Sequence, residues 1–263
     1  MATTWQNFEI ECYNYLKTKY PKAQFKAFGQ SNSTSPDIFV STSHDATFYI
    51  EIKSSNAQSG QFVLIPDEKR QCFDYSDRNQ TPFFRITQII IDHMNKNFIQ
   101  YKSVGSAGQN IDIDKSIFYD WIKCYYSNKR VKYFITKGLD YIIFPIEKIS
   151  EYFDVTCCYR MKRSGSSSAG SSNVPEIREA LRASNIAANV TVNGGDVYVK
   201  TNSKIDGKKL QGEKYKYLFR KTENGNYNVR KLSNTTNSNV IFSISLKKYQ
   251  QDSLDLQSFE SSL

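Results

Sequence analysis

Two short segments of this chain carry charged side chains in a pattern that suits metal-dependent chemistry. The first is Pro36-Asp37, and the second, after thirteen intervening residues, is Glu51-Ile52-Lys53. Two carboxylates held close together repel each other, and a divalent cation is the usual way to make such a pair tolerable. With a lysine beside them, two acids around one point suit the hydrolysis of a phosphodiester with Mg²⁺.

The elements that must position these residues are two β-strands. Residues 37–40 and 47–53 have strand-like composition, and the polar residues 41–46 between them suit a hairpin loop. Adjacent antiparallel strands bring Asp37 and Glu51 side by side. Lys53 projects on the same face as Glu51 because strand side chains repeat every two residues. The alternative is an ordinary hairpin with an exposed Glu–Lys pair.

An amphipathic helix is predicted before the hairpin, at residues 4–20. Its apolar side chains recur at three- and four-residue steps: Trp5, Phe8, Cys12, Tyr15 and Leu16. Helix and hairpin together resemble the PD-(D/E)XK nuclease superfamily, to which many type II restriction endonucleases belong. The resemblance covers about residues 4–80. Many members carry a glutamate on this helix after an aromatic residue, which makes Glu9 the candidate third acid. A solvated helix glutamate is the alternative.

The resemblance implies a role for each of these residues. Asp37 and Glu51 would bind one Mg²⁺, with the carbonyl of Ile52 as a further ligand and water completing the octahedron. The metal would lower the pKa of a bound water and neutralise charge on the phosphate. Lys53 would orient that water and stabilise the transition state. Glu9 would bind a second metal or hold an outer water.

Polar residues on both sides of the hairpin are candidates for DNA contact. Ser33 and Thr34 belong to a hydroxyl-rich segment, residues 29–35, that offers hydrogen-bond donors to phosphate oxygens. Gln58 and Gln61 follow the lysine and would reach the scissile phosphate if the intervening loop turns back. A solvated loop is the alternative for most of these residues.

Further elements follow the hairpin. Residues 62–65 predict a third core strand buried on both faces, and Asp67 would cap a helix over residues 68–77. Strand-like and helix-like runs continue to residue 163. The sequence therefore predicts an α/β (α+β) core like that of restriction endonucleases, with a central mixed sheet flanked by helices.

The composition changes at residues 164–174, which are mostly Ser and Gly. This composition predicts a flexible linker, and the alternative is a long mobile loop within one domain. Residues 175–263 then predict a smaller, mainly β domain with Asn-Gly and Asp-Gly turns and an acidic tail. The predicted division is a catalytic domain over residues 1–163 and a DNA-binding domain after the linker.

Positive charge is concentrated in the second part. The chain has 35 Lys and Arg against 26 Asp and Glu, a net charge of +9. From Ser164 to Lys248 there are fourteen Lys and Arg against six Asp and Glu. Such side chains bind phosphate and provide affinity more than sequence choice. A solvated basic face is the alternative for most of them. The named candidates for DNA contact are Lys216, Arg220, Asn228 and Arg230.

Composition also excludes several classes of protein. Of the 263 residues, 39% are hydrophobic and 14% aromatic, which supports a folded core. No apolar run is long enough for a membrane span, and the N-terminus lacks the pattern of a signal peptide. Five scattered cysteines and two histidines favour neither a disulfide framework nor a zinc site. We expect a cytoplasmic protein without a membrane partner.

These observations favour a type II restriction endonuclease that cuts double-stranded DNA at a short sequence. Such enzymes usually act as homodimers, because a two-fold protein matches a palindromic site. One alternative is a repair or junction nuclease of the same superfamily. The other is a non-catalytic nucleic-acid-binding protein in which the motif is fortuitous.

Overall fold

The structure is a computed structural model that describes residues 4–28, 35–42, 46–163, 165–222 and 224–263. The chain divides into two compact units. The small unit is Lys162–Asn237, and the large unit comprises the residues up to Met161 together with Ser238–Leu263. Within the described residues, no helix has the length and hydrophobicity needed to cross a membrane.

The N-terminal half of the large unit alternates helices and strands. Its elements are α1 (Thr4–Lys19), β1 (Gln24–Ala27), β2 (Ile38–Ser41), β3 (Thr47–Ile52), β4 (Asn56–Asp67), β5 (Cys72–Tyr75), α2 (Arg85–Lys96), α3 (Phe98–Lys102), β6 (Gln109–Asn110) and α4 (Lys115–Asn128). The chain continues with β7 (Val131–Lys137), β8 (Tyr141–Pro145), a 3₁₀ turn (Ile146–Lys148), α5 (Ile149–Tyr152) and β9 (Phe153–Arg163).

The remaining elements form the small unit and then return to the large one. They are β10 (Ser166–Ser168), a 3₁₀ turn (Ser171–Asn173), α6 (Val174–Ala183), β11 (Asn189–Asn193), β12 (Asp196–Lys200), β13 (Lys209–Gln211), β14 (Lys216–Lys221), β15 (Tyr227–Leu232), β16 (Thr236–Leu246) and α7 (Ser253–Glu260).

A mixed five-stranded sheet carries the predicted hairpin. Its strand order is β1-β2-β3-β7-β8, with β3 and β7 parallel and the other pairs antiparallel. α1 and α7 cover one face, where Cys12, Leu16 and Phe259 pack with Ile50 and Ile52. The predicted mixed sheet and its flanking helices are confirmed.

A second sheet of the large unit has the order β5-β4-β16-β9-β6. It shares a core with α2, α4 and the other face of the mixed sheet, and this core includes Phe62, Trp121, Phe134 and Phe242. Strand β4 follows the hairpin in sequence, but it pairs with β16 near the C-terminus. Seven residues of β16 are paired with residues of β4.

Two predictions after the hairpin are wrong. Residues 62–65 do lie in a strand, β4, but they are not buried on both faces, because Phe62 and Leu64 are buried whereas Ile65 is 52% exposed. Residues 68–77 do not form a helix. Asp67 accepts hydrogen bonds from the backbone N–H groups of Lys69 and Arg70, and Gln71 adopts a φ of +53°. The chain therefore reverses, and β5 pairs antiparallel with the end of β4.

The predicted linker and tail also differ from the structure. Ser166–Ser168 is strand β10, which pairs with β15, and Ala169 is fully buried. The acidic tail belongs to the large unit. There Asp252 caps α7, and the carboxylate of Asp255 accepts a 2.6 Å hydrogen bond from the hydroxyl of Tyr152. Composition alone could not predict that the tail belongs to the large unit or that residues 166–168 form a strand, because composition does not tell which segments pair.

The small unit is a six-stranded antiparallel sheet with one helix. Its order is β11-β12-β15-β14-β13, with β10 added to β15. Helix α6 packs on one face, where Ile177 and Leu181 share a core with Val199, Phe219 and Val229. The opposite face of the sheet has no helix among the described residues of this unit.

Glu176 fastens α6 to the turn between β13 and β14. Its Oε1 accepts hydrogen bonds from the backbone N–H of Lys214 at 2.6 Å and of Tyr215 at 2.9 Å. Its Oε2 accepts one from the hydroxyl of Tyr217 at 2.6 Å. Burial by itself would raise the pKa of Glu176, but these donors outweigh it and hold that pKa below its ordinary value.

We expect Glu176→Gln to destabilise the small unit by about 1–2 kcal/mol at pH 7, because the amide replaces a charged acceptor of three hydrogen bonds. Since the pKa of Glu176 is lowered by folding, its contribution is present above the ordinary glutamate pKa and is lost as the pH falls through the folded-state pKa. Hydrogen exchange at the Lys214 and Tyr215 amides measures the effect.

The matched control is Glu179→Gln, one turn further along α6, where the carboxylate forms an exposed ion pair with Arg182. We expect the control to leave exchange at these two amides unchanged. Equal protection in Glu176→Gln and the parent protein at pH 7 would contradict the role assigned to Glu176.

Candidate active site

Asp37 is fixed where β2 begins. It follows the buried Pro36, and its Oδ2 accepts a 2.7 Å hydrogen bond from the backbone N–H of Ile52 on β3. Its own backbone carbonyl accepts a hydrogen bond from the N–H of Phe28 at 2.8 Å. The carboxylate is thus tied across the hairpin, as the predicted antiparallel pairing requires.

Glu51 is buried on the face of β3 that looks towards α4. It alternates with Ile50 and Ile52, which point to the opposite core, and it lies in register with Phe134 of β7. Its Oε1 accepts a 2.7 Å hydrogen bond from the Nζ of Lys53. Its Oε2 is buried and has no hydrogen-bond partner among the described residues.

Lys53 lies immediately after β3, and its side chain is 12% exposed. Its backbone N–H donates to the carbonyl of Ile135 at 3.0 Å, which extends the parallel pairing with β7. Its Nζ lies 5.4 Å from the ring centre of Tyr126. Burial alone would lower the pKa of Lys53, but the negative charges around it, Glu51 first, raise it well above its ordinary value. Lys53 is therefore a cation and a hydrogen-bond donor, not a base.

The two carboxylates have the electrostatics of a cation site. Burial, and then the charge of Glu51, raise the pKa of Asp37 to about 8. A bound cation would offset both effects and would also give the free Oε2 of Glu51 a partner. Oxygen ligands of this kind suit a hard divalent ion such as Mg²⁺.

Protein side chains alone do not complete such a site. Over the described parts of the chain, no three His, Cys, Asp or Glu side chains converge as a metal-binding group. A cation held by Asp37 and Glu51 would therefore need main-chain oxygens or water as further ligands, which fits an ion that retains several waters.

Glu9 lies on α1 beside the same site. It lines a cavity of about 680 Å³ together with Asp37, Ile38 and Ile52. Burial first, and then the charge of Glu51, raise the pKa of Glu9, whereas Lys53 lowers it. The neighbouring Glu11 points away and forms an exposed ion pair with Lys137.

Gln58 and Gln61 face Glu51 and Lys53 across a second cavity of about 340 Å³. The amide Nε2 of Gln58 donates to the Oε1 of Gln61 at 3.0 Å. A bulge in β4 opposite β16 places both side chains at this cavity. Gly60 in the bulge has a φ of +112°, and a Cβ there would lie 2.6 Å from the Trp121 ring.

The structure also places residues at the site that the sequence analysis did not select. Tyr126 of α4 is buried under Lys53, and its hydroxyl accepts a 3.3 Å hydrogen bond from Ser59 of the bulge. Lys129, at the end of α4, lines the same cavity as Glu51. No local pattern marks either residue, because both reach the site only through the packing of α4 on β4 and β7.

The other predicted contact residues lie elsewhere. Ser33 and Thr34 are outside the described residues. Lys216, Arg220, Asn228 and Arg230 belong to the small unit. There they lie on β14 and β15, two adjacent strands that are not at an edge of its sheet.

Comparisons with known proteins agree with this arrangement. No protein-family profile and no curated protein matches the chain. A solved structure of HhaI endonuclease in complex with DNA matches with 38% sequence identity and a TM-score of 0.90, and the match covers 99% of each chain. Since the identity is high and both units are included, the chain belongs to the same family of type II restriction endonucleases as HhaI endonuclease.

Proposed function

We propose that this protein is a Mg²⁺-dependent endonuclease that hydrolyses phosphodiester bonds of double-stranded DNA at a short specific sequence. The observation that carries the proposal is the cluster of Asp37, Glu51 and Lys53. In this cluster the buried Oε2 of Glu51 has no hydrogen-bond partner among the described residues. The related HhaI endonuclease was solved in complex with DNA, which supports DNA as the substrate.

Asp37 and Glu51 are the proposed cation ligands. The free Oε2 of Glu51 and the raised pKa of Asp37 both indicate that the pair lacks a compensating charge. The carbonyl of Ile52 is a candidate third ligand, since the N–H of that residue already holds Asp37. When bound, Mg²⁺ would supply positive charge to the scissile phosphate and acidify water.

Lys53 is proposed to stabilise the negative charge that develops on the phosphate during in-line attack. Its ion pair with Glu51 and its position over Tyr126 hold the ammonium group in one place. Because the ammonium group is already held in place, it needs little reorganisation during the reaction. Glu9, across the first cavity from Asp37, would hold an outer water or a second cation.

The sheet of the small unit is the proposed source of additional DNA contacts. Arg220 pairs with Asn228, Leu218 with Arg230, and Lys216 with Leu232. Because side chains alternate along strands, the four candidates Lys216, Arg220, Asn228 and Arg230 share one face. It is the face opposite α6, since Tyr217, Phe219, Tyr227 and Val229 belong to the core that α6 covers.

A homodimer is the proposed active form, because two identical active sites related by a two-fold axis would cut both strands of a palindromic site. We place its action in the cytoplasm. All five cysteines are free in the structure, as expected for a reducing compartment.

We expect Lys53→Ala and Asp37→Asn each to reduce the DNA cleavage rate by about 10²- to 10³-fold or more. Lys53→Ala removes a preorganised positive charge beside the reacting phosphate, and Asp37→Asn removes a charged ligand of the proposed cation. The measurement is cleavage of a long phage DNA with Mg²⁺, on which the parent protein gives discrete bands.

Asp120→Asn and Lys132→Ala are the controls, since both are exposed charges outside the two cavities. They should cleave like the parent. The assignment fails if folded Lys53→Ala and Asp37→Asn also cleave at the parent rate. A smear, or cutting only at junctions, would indicate a different kind of nuclease.

A double variant tests the small unit. We expect Arg220→Gln with Arg230→Gln to weaken binding of duplex DNA by about 10-fold or more, since each charge-assisted phosphate contact contributes on the order of 1 kcal/mol. Fluorescence anisotropy without divalent metal measures the dissociation constant.

The control removes two arginines from α6 on the other side of the sheet, by Arg178→Gln with Arg182→Gln. If both double variants bind DNA equally well, the sheet face opposite α6 is not a DNA contact surface.

A further inference from the structure

The second cavity has more charged residues than the proposed catalytic ones. Glu51 and Lys53 line it, and so do Lys129 and Arg78. Arg78 comes from the loop after β5, and Lys129 directly follows the last residue of α4. Neither residue has a role in the site described above.

The charges in this cavity do not balance. Its lining residues include three cations, Lys53, Lys129 and Arg78, but only one acid, Glu51. Glu51 is paired with Lys53 at 2.7 Å. No carboxylate of the described residues forms an ion pair with Lys129 or Arg78. The cavity therefore has two positive charges available for an anion.

Lys129 is held in position rather than extended into solvent. Its Nζ lies 4.3 Å from the ring centre of Tyr125 and 5.9 Å from that of Tyr126. Tyr125 is itself stacked on Trp121, with ring centres 5.2 Å apart. A cation over an aromatic face keeps its charge while losing little further freedom on binding a ligand.

The loop that carries Arg78 is also fixed. The side chain of Asn79 pairs with the backbone of Val63, accepting from its N–H at 2.7 Å and donating to its carbonyl at 2.8 Å. The hydroxyl of Tyr75 donates to the carbonyl of Thr81 at 2.7 Å. The part of the cavity wall formed by Arg78 and Asn79 is therefore fastened to β4, the strand that also carries Gln58 and Gln61.

We propose that Lys129 and Arg78 bind a backbone phosphate of the substrate, next to the phosphate that is cut. A phosphodiester anion matches two cations that line one cavity together with the polar side chains of Gln58 and Gln61. Because Glu51 and Lys53 share the cavity, contact at this second phosphate aligns the scissile one. This inference rests on the proposed function and adds a phosphate-binding site to it.

The test is the salt dependence of DNA binding. Removing one phosphate contact should lower the slope of log K against log salt concentration by about 0.9 for duplex DNA. We expect this decrease in Lys129→Gln and in Arg78→Gln, together with a lower kcat/KM for cleavage, and we expect Lys129→Arg to restore the slope. Binding is measured with a DNA duplex in the absence of divalent metal.

The matched control is Lys132→Gln. Lys132 is exposed, and its Nζ also lies over aromatic rings, 5.5 Å from those of Phe48 and Tyr133, but it lines neither cavity. Loss of the same charge there should leave the slope unchanged. A merely structural role of Lys129 would alter thermal stability without altering the slope.

The outcomes separate this inference from the proposed function. If the parent protein neither binds nor cuts duplex DNA, the proposed function fails. If the parent does both, but Lys129→Gln and Arg78→Gln keep the parent slope, the phosphate site is overturned alone. Arg78 is exposed and its side chain makes no hydrogen bond among the described residues, so Arg78→Gln remains informative even if Lys129→Gln does not fold.

Discussion

The buried ion pair between Glu51 and Lys53 is the interaction on which the arrangement of the site depends. Removing an ion from water costs several kcal/mol, and attraction between partners offsets that cost only when geometry and further hydrogen bonds are good. Here the further hydrogen bonds are missing, because the Oε2 of Glu51 has no hydrogen-bond partner among the described residues. The second carboxyl group, that of Asp37, lies beside the pair and has a raised pKa. Without a cation, Asp37 therefore tends to keep its proton at neutral pH, and a bound cation would displace that proton and favour the carboxylate, as expected of a metal-dependent active site.

The rest of the large unit can be understood as the support for that pair. The parallel pairing of β3 with β7 continues to the backbone of Lys53, and α4 places the ring of Tyr126 beneath its ammonium group. Ser59 joins Tyr126 to the bulge of β4, and Gly60 allows the bulge to approach Trp121 more closely than any other residue would. A side chain locked by packing of this kind keeps its geometry during reaction without further ordering.

The part of the site within one hairpin could be predicted from sequence, because Asp37, Glu51 and Lys53 obey the two-residue period of paired strands. The shared face of the four small-unit candidates was not predicted, because it follows from the register of β14 with β15. Tyr126, Lys129 and the pairing of β4 with β16 could not be predicted, since they depend on contacts between distant segments. The helix predicted at residues 68–77 was wrong for a different reason. Gln71 adopts a positive φ, which ends the helical run although the side chains around it suit a helix.

The two units differ clearly in net charge, and this difference marks their boundary better than the predicted linker at residues 164–174. Lys162–Asn237 contains fourteen Lys and Arg and six Asp and Glu, whereas the rest of the chain has 21 and 20. Nearly all of the net charge of +9 therefore lies in the small unit. The near-neutral large unit would bind a polyanion weakly by itself, so electrostatic affinity and the proposed chemistry would be provided by different parts of the chain. In that division, the cations of the large unit would position the phosphate backbone rather than supply most of the affinity, as proposed for Lys129 and Arg78 at the second cavity.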